Sequence, residues 1–266
     1  MSNYSYALEP LAVPELGGAE LVRAAERTGY DFVSIFAHSA SSELPLDPSV
    51  NDPEQREAMR AAMKQTGVAL LNLECFNLLP SVDPADFARA LECGSDLGAR
   101  TATAIVWENP DLEDACTKFQ RLCDMAAEHA INVNVEFFAT ARSLPTIVEV
   151  ADFVRKAGRR NSGIVVDVLH LMRTSGGLDG LAKIEPEMIG ALQLSDGMLL
   201  PPEDMGAEML SRMLPGTGEF PLREIVGRCP VGLPLGLEAA NLSLMGKVPA
   251  EERALAMRQA AGRIFD

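Results

Sequence analysis

Four side chains with oxygen donors each stand within or directly after a short apolar run of the chain. They are Glu136 in Asn-Val-Glu-Phe-Phe, Asp167 in Val-Val-Asp-Val-Leu, Gln193 in Leu-Gln-Leu-Ser-Asp and Glu238 in Leu-Gly-Leu-Glu-Ala. A carboxylate placed among apolar residues costs free energy unless it is paired, hydrogen-bonded or bound to a cation. One divalent cation shared by all four side chains would meet this need. The set therefore predicts a metal site.

The donor atoms also favour particular metals. Three carboxylates and one amide offer only oxygen, which suits Mg²⁺ or Mn²⁺ better than a metal that prefers imidazole or thiolate. Zn²⁺ and Co²⁺ are less favoured. Any one of the four residues, taken alone, is equally well explained as a solvated residue or a local cap. Asp196, three residues after Gln193, is an alternative ligand in its place.

Eight short apolar runs alternate with amphipathic stretches and predict eight β-strands with helices between them. The runs cover residues 4–8, 32–37, 69–76, 101–107, 132–138, 163–169, 189–194 and 233–238. We therefore predict an α/β protein, a (β/α)8 TIM barrel that forms one domain over residues 1–266, a usual length for this fold. The four oxygen donors stand at the ends of strands five to eight, and the carboxyl ends of barrel strands converge on one side.

The composition limits the classes of partner and compartment. The 38 acidic and 23 basic residues give a formal net charge of −15, which repels nucleic acids and anionic lipid surfaces. We therefore expect a small-molecule substrate, with neither nucleic acid nor a membrane as partner. The five cysteines form no C-x-x-C pair, and no stretch resembles a leader or a membrane span, so a cytoplasmic protein is expected.

The whole pattern resembles the xylose-isomerase-like barrel superfamily of sugar isomerases, epimerases and related dehydratases. In that superfamily, Glu on strand five, Asp on strand six, His or Gln on strand seven and Glu on strand eight bind one divalent metal. Glu136, Asp167, Gln193 and Glu238 stand at the matching places. The Asp-x-x-His spacing of Asp167 and His170 is also similar to the family, in which the histidine usually contacts substrate.

Within the superfamily the chain resembles the hydroxypyruvate isomerase branch, which has Gln on strand seven and a Pro-Gly-Thr-Gly-Glu segment after it. Residues 215–219 reproduce this segment. Phe137 and Phe138 depart from the pattern, because many relatives have His or Asn directly after the strand-five glutamate. Residues 198–200, Met-Leu-Leu, make the loop after strand seven apolar as well. A substrate with an apolar or aromatic part is therefore not excluded.

The resemblance implies proton transfer at a carbon next to a carbonyl. It indicates a metal-dependent isomerase or epimerase that acts on a small keto acid, sugar or sugar-like polyol through an enediolate. Glu136 and Glu238 would flank the substrate, one as general base and the other as general acid. Asp167 and Gln193 would then serve as structural ligands. Because related barrels often form dimers or tetramers, a homodimer or homotetramer is expected.

Three other residues are candidate substrate contacts. His170 would touch a substrate oxygen, although an isolated histidine is more often part of the core. Arg173 has a planar fork that suits a carboxylate or phosphate, and a surface ion pair explains it nearly as well. Trp107 would form an apolar wall of the site or belong to the core. His38 and Glu74 are placed towards the mouth of the barrel and are expected only to line it.

Other functions share this barrel. A dehydratase or other lyase, of the dehydroshikimate or inosose dehydratase kind, would remove the same proton and then expel a β-hydroxyl. Abasic-site endonucleases use a three-zinc cluster rich in histidine, whereas this acidic chain has only three histidines, so that function is set aside. A metal-stabilised binding barrel without catalysis is the non-enzymatic alternative.

Overall fold

A closed parallel barrel forms the centre of the computed structural model, which describes residues 4–38 and 44–266. The strands are β1 Tyr6–Leu8, β2 Phe32–Phe36, β3 Ala69–Asn77, β4 Thr101–Ile105, β5 Asn132–Glu136, β6 Ser162–Asp167, β7 Ile189–Leu194 and β8 Leu235–Leu237. Each strand pairs with the next in parallel, and β8 pairs with β1. The prediction of a single TIM barrel is confirmed, and the observed strand ends differ from the expected ones by at most two residues.

Helices cover the outside of the barrel. Those described are α1 Gly18–Thr28, α2 Pro48–Asn51, α3 Pro53–Thr66, α4 Ala88–Leu97, α5 Leu112–Ala127, α6 Ile147–Ala157, α7 Val168–Arg173, α8 Gly177–Leu181, α9 Met205–Met209, α10 Leu222–Gly227 and α11 Ala250–Phe265. Local capping determines several of their ends. Asp52 accepts hydrogen bonds from the first turn of α3, and Thr146 and Glu149 form a capping box on α6. Across the described ranges, none of these helices has the length and apolar character needed to cross a lipid bilayer.

The apolar core lies between the barrel and its helices, while the inside of the barrel is unusually polar. Ser34, Asn72, Thr103 and Asn134 are at most 4% exposed and come from four neighbouring strands. The Asn72 amide donates to the Thr103 hydroxyl at 2.9 Å. Branched apolar side chains commonly fill the inside of such barrels. Here the polar filling provides hydrogen-bonding support below the carboxyl ends of the strands.

Asp196 anchors the long segment between β7 and α10. Its Oδ1 accepts hydrogen bonds from the backbone N–H groups of Gly197 and Phe220 at 2.8 and 3.0 Å, and its Oδ2 accepts one from Gly216 at 2.8 Å. Three backbone donors thus compensate a carboxylate that is 1% exposed. A Cβ on Gly218 would lie 2.4 Å from Asp196 Oδ1, so this close approach requires glycine. The Pro-Gly-Thr-Gly-Glu segment is therefore a loop wrapped around Asp196.

Asp196→Ala is expected to lower the free energy of unfolding by about 2–4 kcal/mol, because each buried group left without a partner costs about 1–3 kcal/mol. The control is Asp204→Ala on the same segment, since the exposed Asp204 side chain caps α9 by accepting a hydrogen bond from the Ala207 N–H. Loss of that cap should cost about 1 kcal/mol. Urea denaturation followed by circular dichroism measures both changes, and equal losses would contradict the anchoring role.

Candidate functional site

The four predicted metal ligands lie at or next to the carboxyl ends of β5 to β8. Glu136 and Asp167 are the last residues of β5 and β6, Gln193 is the last but one of β7, and Glu238 directly follows β8. The strand register sets Asp167 opposite Gln193. All four side chains are buried. The structure therefore places the four residues at the carboxyl ends of four consecutive strands, with Asp167 next to Glu136 and Gln193 next to Glu74.

Asp167 links the end of β6 to helix α7. Its Oδ1 accepts hydrogen bonds from the backbone N–H groups of Leu169 and His170 at 2.7 and 3.2 Å. The cap turns the chain so that His170 Nε2 lies 3.9 Å from Glu136 Oε1. Donor atoms of Glu136, Asp167 and His170 all lie within 4.8 Å of one another. The Asp-x-x-His spacing is thus a capping geometry that places an imidazole at the site.

Arg212 is a site residue that the sequence reasoning missed. Its Nη1 donates to Asp167 Oδ2 at 2.7 Å and to Glu238 Oε2 at 2.9 Å, and the residue is 4% exposed. Its Nε donates to the Met209 carbonyl, and its backbone N–H donates to the Ala240 carbonyl. The guanidinium therefore joins two predicted metal ligands from the segment that follows β7. The only feature of the sequence that could have pointed to Arg212 is its position shortly before the Pro-Gly-Thr-Gly-Glu segment.

Two more carboxylates lie buried beside these residues. Glu74 in β3 accepts hydrogen bonds on Oε1 from Asn72 Nδ2 at 2.6 Å, Thr103 Oγ1 at 3.2 Å and Gln193 Nε2 at 3.2 Å. Glu9 directly follows β1 and is 3% exposed. The acidic cluster, as we call it, consists of Glu9, Glu74, Glu136, Asp167 and Glu238. Glu9 and Glu74 were not among the predicted ligands.

Burial and mutual repulsion disturb the ionisation of the acidic cluster. Burial, and then the nearby carboxylates of Asp167 and Glu74, raise the pKa of Glu136 well above its usual range. Burial also raises the pKa of Glu238, although Arg212 opposes this shift. Burial and then neighbouring acids raise the pKa values of Glu9 and Glu74 to about 8. These directions show an excess of buried negative charge.

The pKa values of Asp167 and His170 are lowered instead. Burial opposes ionisation of Asp167, but the Arg212 guanidinium and the nearby His170 outweigh it and lower the pKa of Asp167. Burial lowers the pKa of His170 to about 4, so its imidazole is neutral near pH 7. A neutral imidazole can act as a metal ligand.

The site fits a divalent cation. Within the described ranges, Gln193 Oε1 and His170 Nε2 are buried and have no hydrogen-bond partner. Because Gln193 Nε2 donates to Glu74, the amide leaves its oxygen for another partner. A cation would supply that partner and reduce the repulsion within the acidic cluster. Asp196 is engaged by three backbone donors, so the geometry favours Gln193 over Asp196 as a ligand.

A cavity of about 470 Å³ opens above the acidic cluster. Trp107 lies on the wall of this cavity, where a residue that contacts substrate is expected. Its ring packs edge-to-face against the ring of Phe138, at a centroid distance of 4.8 Å. Phe138 lies 4.4 Å from the His170 ring. Asn77, at the end of β3, lines the cavity with a buried Oδ1 that lacks a partner among the residues described. Sequence reasoning missed Asn77.

Arg173 and His38 lie away from this cavity. The Nε and Nη2 atoms of Arg173 donate to the Glu208 carboxylate, both at 2.6 Å, and Nη2 also donates to the Met198 carbonyl. Arg173 thus forms an ion pair, as the alternative expected, but the pair is largely buried and not on the surface, and it ties α7 to the segment carrying α9. The His38 ring packs against Phe76 and Phe87. Glu74, by contrast, lines the cavity as expected.

Comparison with known proteins finds related sequences and folds. Over 103 residues the chain is 29% identical to the 3-dehydroshikimate dehydratase of Pseudomonas aeruginosa, a match that covers 39% of this chain and 16% of the dehydratase. The structure of the zinc-bound IolI protein aligns over 98% of both chains with a TM-score of 0.80 and 16% identity. The 3-keto-D-glucoside 4-epimerase of E. coli aligns over 98% of both chains with a TM-score of 0.73 and 15% identity.

The structural matches show a common fold, and the sequence model defines the family. The model described as "Xylose isomerase-like TIM barrel" matches residues 22–228, which include three of the four predicted ligands together with Arg212. Glu238 lies beyond the matched range and joins the site through β8. The chain belongs to the xylose isomerase-like TIM barrel family.

Proposed function

We propose that this protein is a divalent-metal-dependent isomerase or epimerase that transfers a proton at a carbon next to the carbonyl group of a small substrate. The observation that carries the proposal is the pair Glu136 and Glu238. Both line the cavity and have pKa values raised by burial. Glu136 ends β5 and Glu238 directly follows β8. Two strands separate β5 from β8, so the two glutamates approach a bound molecule from different sides.

The two glutamates are suited to opposite halves of a proton transfer. A carboxylate whose pKa is raised by burial is a stronger proton acceptor than one with its ordinary pKa. We assign removal of the proton to one of them and its return to the other. Arg212 orients Glu238 through the 2.9 Å contact and opposes the rise of its pKa. A bound cation would supply stabilisation for the negative charge that develops on the substrate oxygen.

We propose Glu136, Asp167, Gln193 and Glu238 as the residues that hold the cation, and Mg²⁺ or Mn²⁺ as the metal. Their oxygen donors support this choice. His170 Nε2 is the one nearby nitrogen without a partner in the described part of the chain, and it is the donor that would favour zinc. Which metal the site prefers therefore depends on whether Gln193 or His170 supplies the ligand atom.

A dehydratase is a second candidate, favoured by the sequence match to 3-dehydroshikimate dehydratase. Removal of the same proton followed by departure of a β-hydroxyl group gives an unsaturated product and water. Such a reaction uses the same base and needs one group to protonate the leaving oxygen. Analysis of products separates the candidates, because an epimer or isomer keeps the mass of the substrate and elimination lowers it by one water.

The proposed proton transfer is tested by deuterium incorporation. Mn²⁺-loaded protein is incubated in D₂O with a panel of α-hydroxy ketones, and exchange at the carbon next to the carbonyl is followed by mass spectrometry. Glu136→Gln and Glu238→Gln should each slow exchange by roughly 10²- to 10⁴-fold, because each removes a general acid or base. Glu224→Gln, at an exposed position of helix α10, is the control and should leave the rate unchanged.

Full exchange by both variants of the site would refute the assignment of these glutamates. Loss of water without formation of an isomer would replace the first candidate with the second. Metal binding without exchange on any substrate of the panel would support the non-catalytic barrel.

The assignment of Gln193 is tested by metal affinity. Gln193→Met keeps the length of the side chain and removes the amide oxygen, so Mn²⁺ affinity measured by isothermal titration calorimetry should fall by at least about tenfold. Ser195→Ala, which alters the next buried polar residue after β7, is the control and should bind Mn²⁺ normally. Unchanged affinity in Gln193→Met combined with a loss in His170→Ala would assign the ligand to the imidazole instead.

A further inference from the structure

The cavity above the acidic cluster is polar at its floor and apolar on its walls. Glu74, Glu136, Arg212 and Glu238 form the floor, at the carboxyl ends of the strands. The side chains that make the walls share an apolar character and come from loops or strand ends around the barrel: Leu11, Phe36, Ile105, Trp107, Phe138 and Leu242. The two kinds of surface are therefore separated along the axis of the barrel.

The apolar wall is built from well-packed side chains. Phe36 and Ile105 end β2 and β4 and are 8% and 3% exposed. The rings of Trp107 and Phe138 pack edge-to-face, and the Phe138 ring also packs against the His170 ring. Aromatic pairs of this kind are restrained in position. The wall is therefore a preformed surface that binds the carbon skeleton of a ligand.

Among the described residues that line the cavity, few polar side chains lie above the floor. Asn77 is the one amide that lines the cavity among the residues described, and its Oδ1 lacks a partner. Arg212 is the only cationic side chain in the described lining, and it already donates to Asp167 and Glu238. A phosphate group would find no free cation on these walls. Each sugar hydroxyl pressed against them would lose its hydrogen bonds to water, which weakens binding.

We propose that the substrate is an α-hydroxy ketone with a largely apolar skeleton of about ring size. Its carbonyl and hydroxyl oxygens lie at the floor, and at most one further polar group reaches Asn77. A polyhydroxylated or phosphorylated sugar is disfavoured. The inference rests on the proposed function, because that function sets the carbonyl end of the substrate at the floor. A volume of about 470 Å³ is within the usual range for sites of small molecules.

Trp107 provides a direct measurement of binding. It is the only tryptophan of the chain and lies on the wall of the cavity, so its fluorescence reports a ligand that enters, whether or not turnover follows. Mg²⁺-loaded protein is titrated with 2-hydroxycyclohexanone and with D-fructose, whose pyranose ring has the same number of atoms but carries more hydroxyl groups. The affinity for 2-hydroxycyclohexanone should be at least about tenfold higher, since several hydroxyl groups of D-fructose would lack hydrogen-bond partners in the cavity.

A substitution in the wall tests the cause of this preference. Phe138→Asn should reduce the ratio of the two affinities by about fivefold or more, because it removes an apolar surface and adds an amide. Phe265→Asn is the matched control: Phe265 is also partly buried and in contact with an aromatic ring, that of Tyr4, but lies outside the cavity lining. This control should leave the ratio unchanged.

Equal or tighter binding of D-fructose to the parent protein would overturn the inference. Absence of any fluorescence change with 2-hydroxycyclohexanone at millimolar concentrations would also overturn it. Deuterium exchange on the same two compounds separates this result from the proposed function. Preferential binding of 2-hydroxycyclohexanone without exchange on any α-hydroxy ketone would refute the proposed function alone. Exchange on D-fructose with no preference for the apolar compound would refute this inference alone.

Discussion

Buried carboxylates at the mouth of the barrel repel one another, and the groups around them must compensate this repulsion. Glu9, Glu74, Glu136, Asp167 and Glu238 are all buried, and Arg212 contacts two of them, Asp167 and Glu238. Such a cluster is stable only where hydrogen bonds, a counter-charge or protonation compensates it. The polar inside of the barrel supplies part of this compensation, since Asn72 and Thr103 both donate to Glu74. The fold thus concentrates charge in a way that favours a divalent cation.

The segment between β7 and α10 holds Arg212 next to the buried carboxylates of Asp167 and Glu238. Asp196 holds its two ends through backbone donors, and the ion pair of Arg173 with Glu208 fixes its middle. Arg212 is then held by its own backbone against the loop after β8. The same segment also contributes to the mouth of the cavity. Asp196 does not line the cavity, but its backbone pairs with Met213, next to Arg212, and so supports the position of the counter-charge.

Much of the fold was predictable because a parallel barrel requires buried strands, and buried strands appear as apolar runs. The positions of Glu136, Asp167, Gln193 and Glu238 followed from the same runs. Arg212 was not predictable, because it lies in an irregular segment that has no periodic apolar pattern and belongs to no strand. The ion pair of Arg173 depends on Glu208, 35 residues away along the chain, so only tertiary structure reveals it. The choice between Gln193 and Asp196 likewise required the backbone donors around Asp196.

The central claim is that the acidic cluster performs proton transfer only with a divalent cation bound among its carboxylates. The most direct measurement compares deuterium incorporation into an α-hydroxy ketone by the protein before chelation, after removal of metal with EDTA, and after addition of Mn²⁺. The account predicts that exchange is lost on chelation and restored by Mn²⁺. Full exchange by protein shown to be free of metal would contradict it.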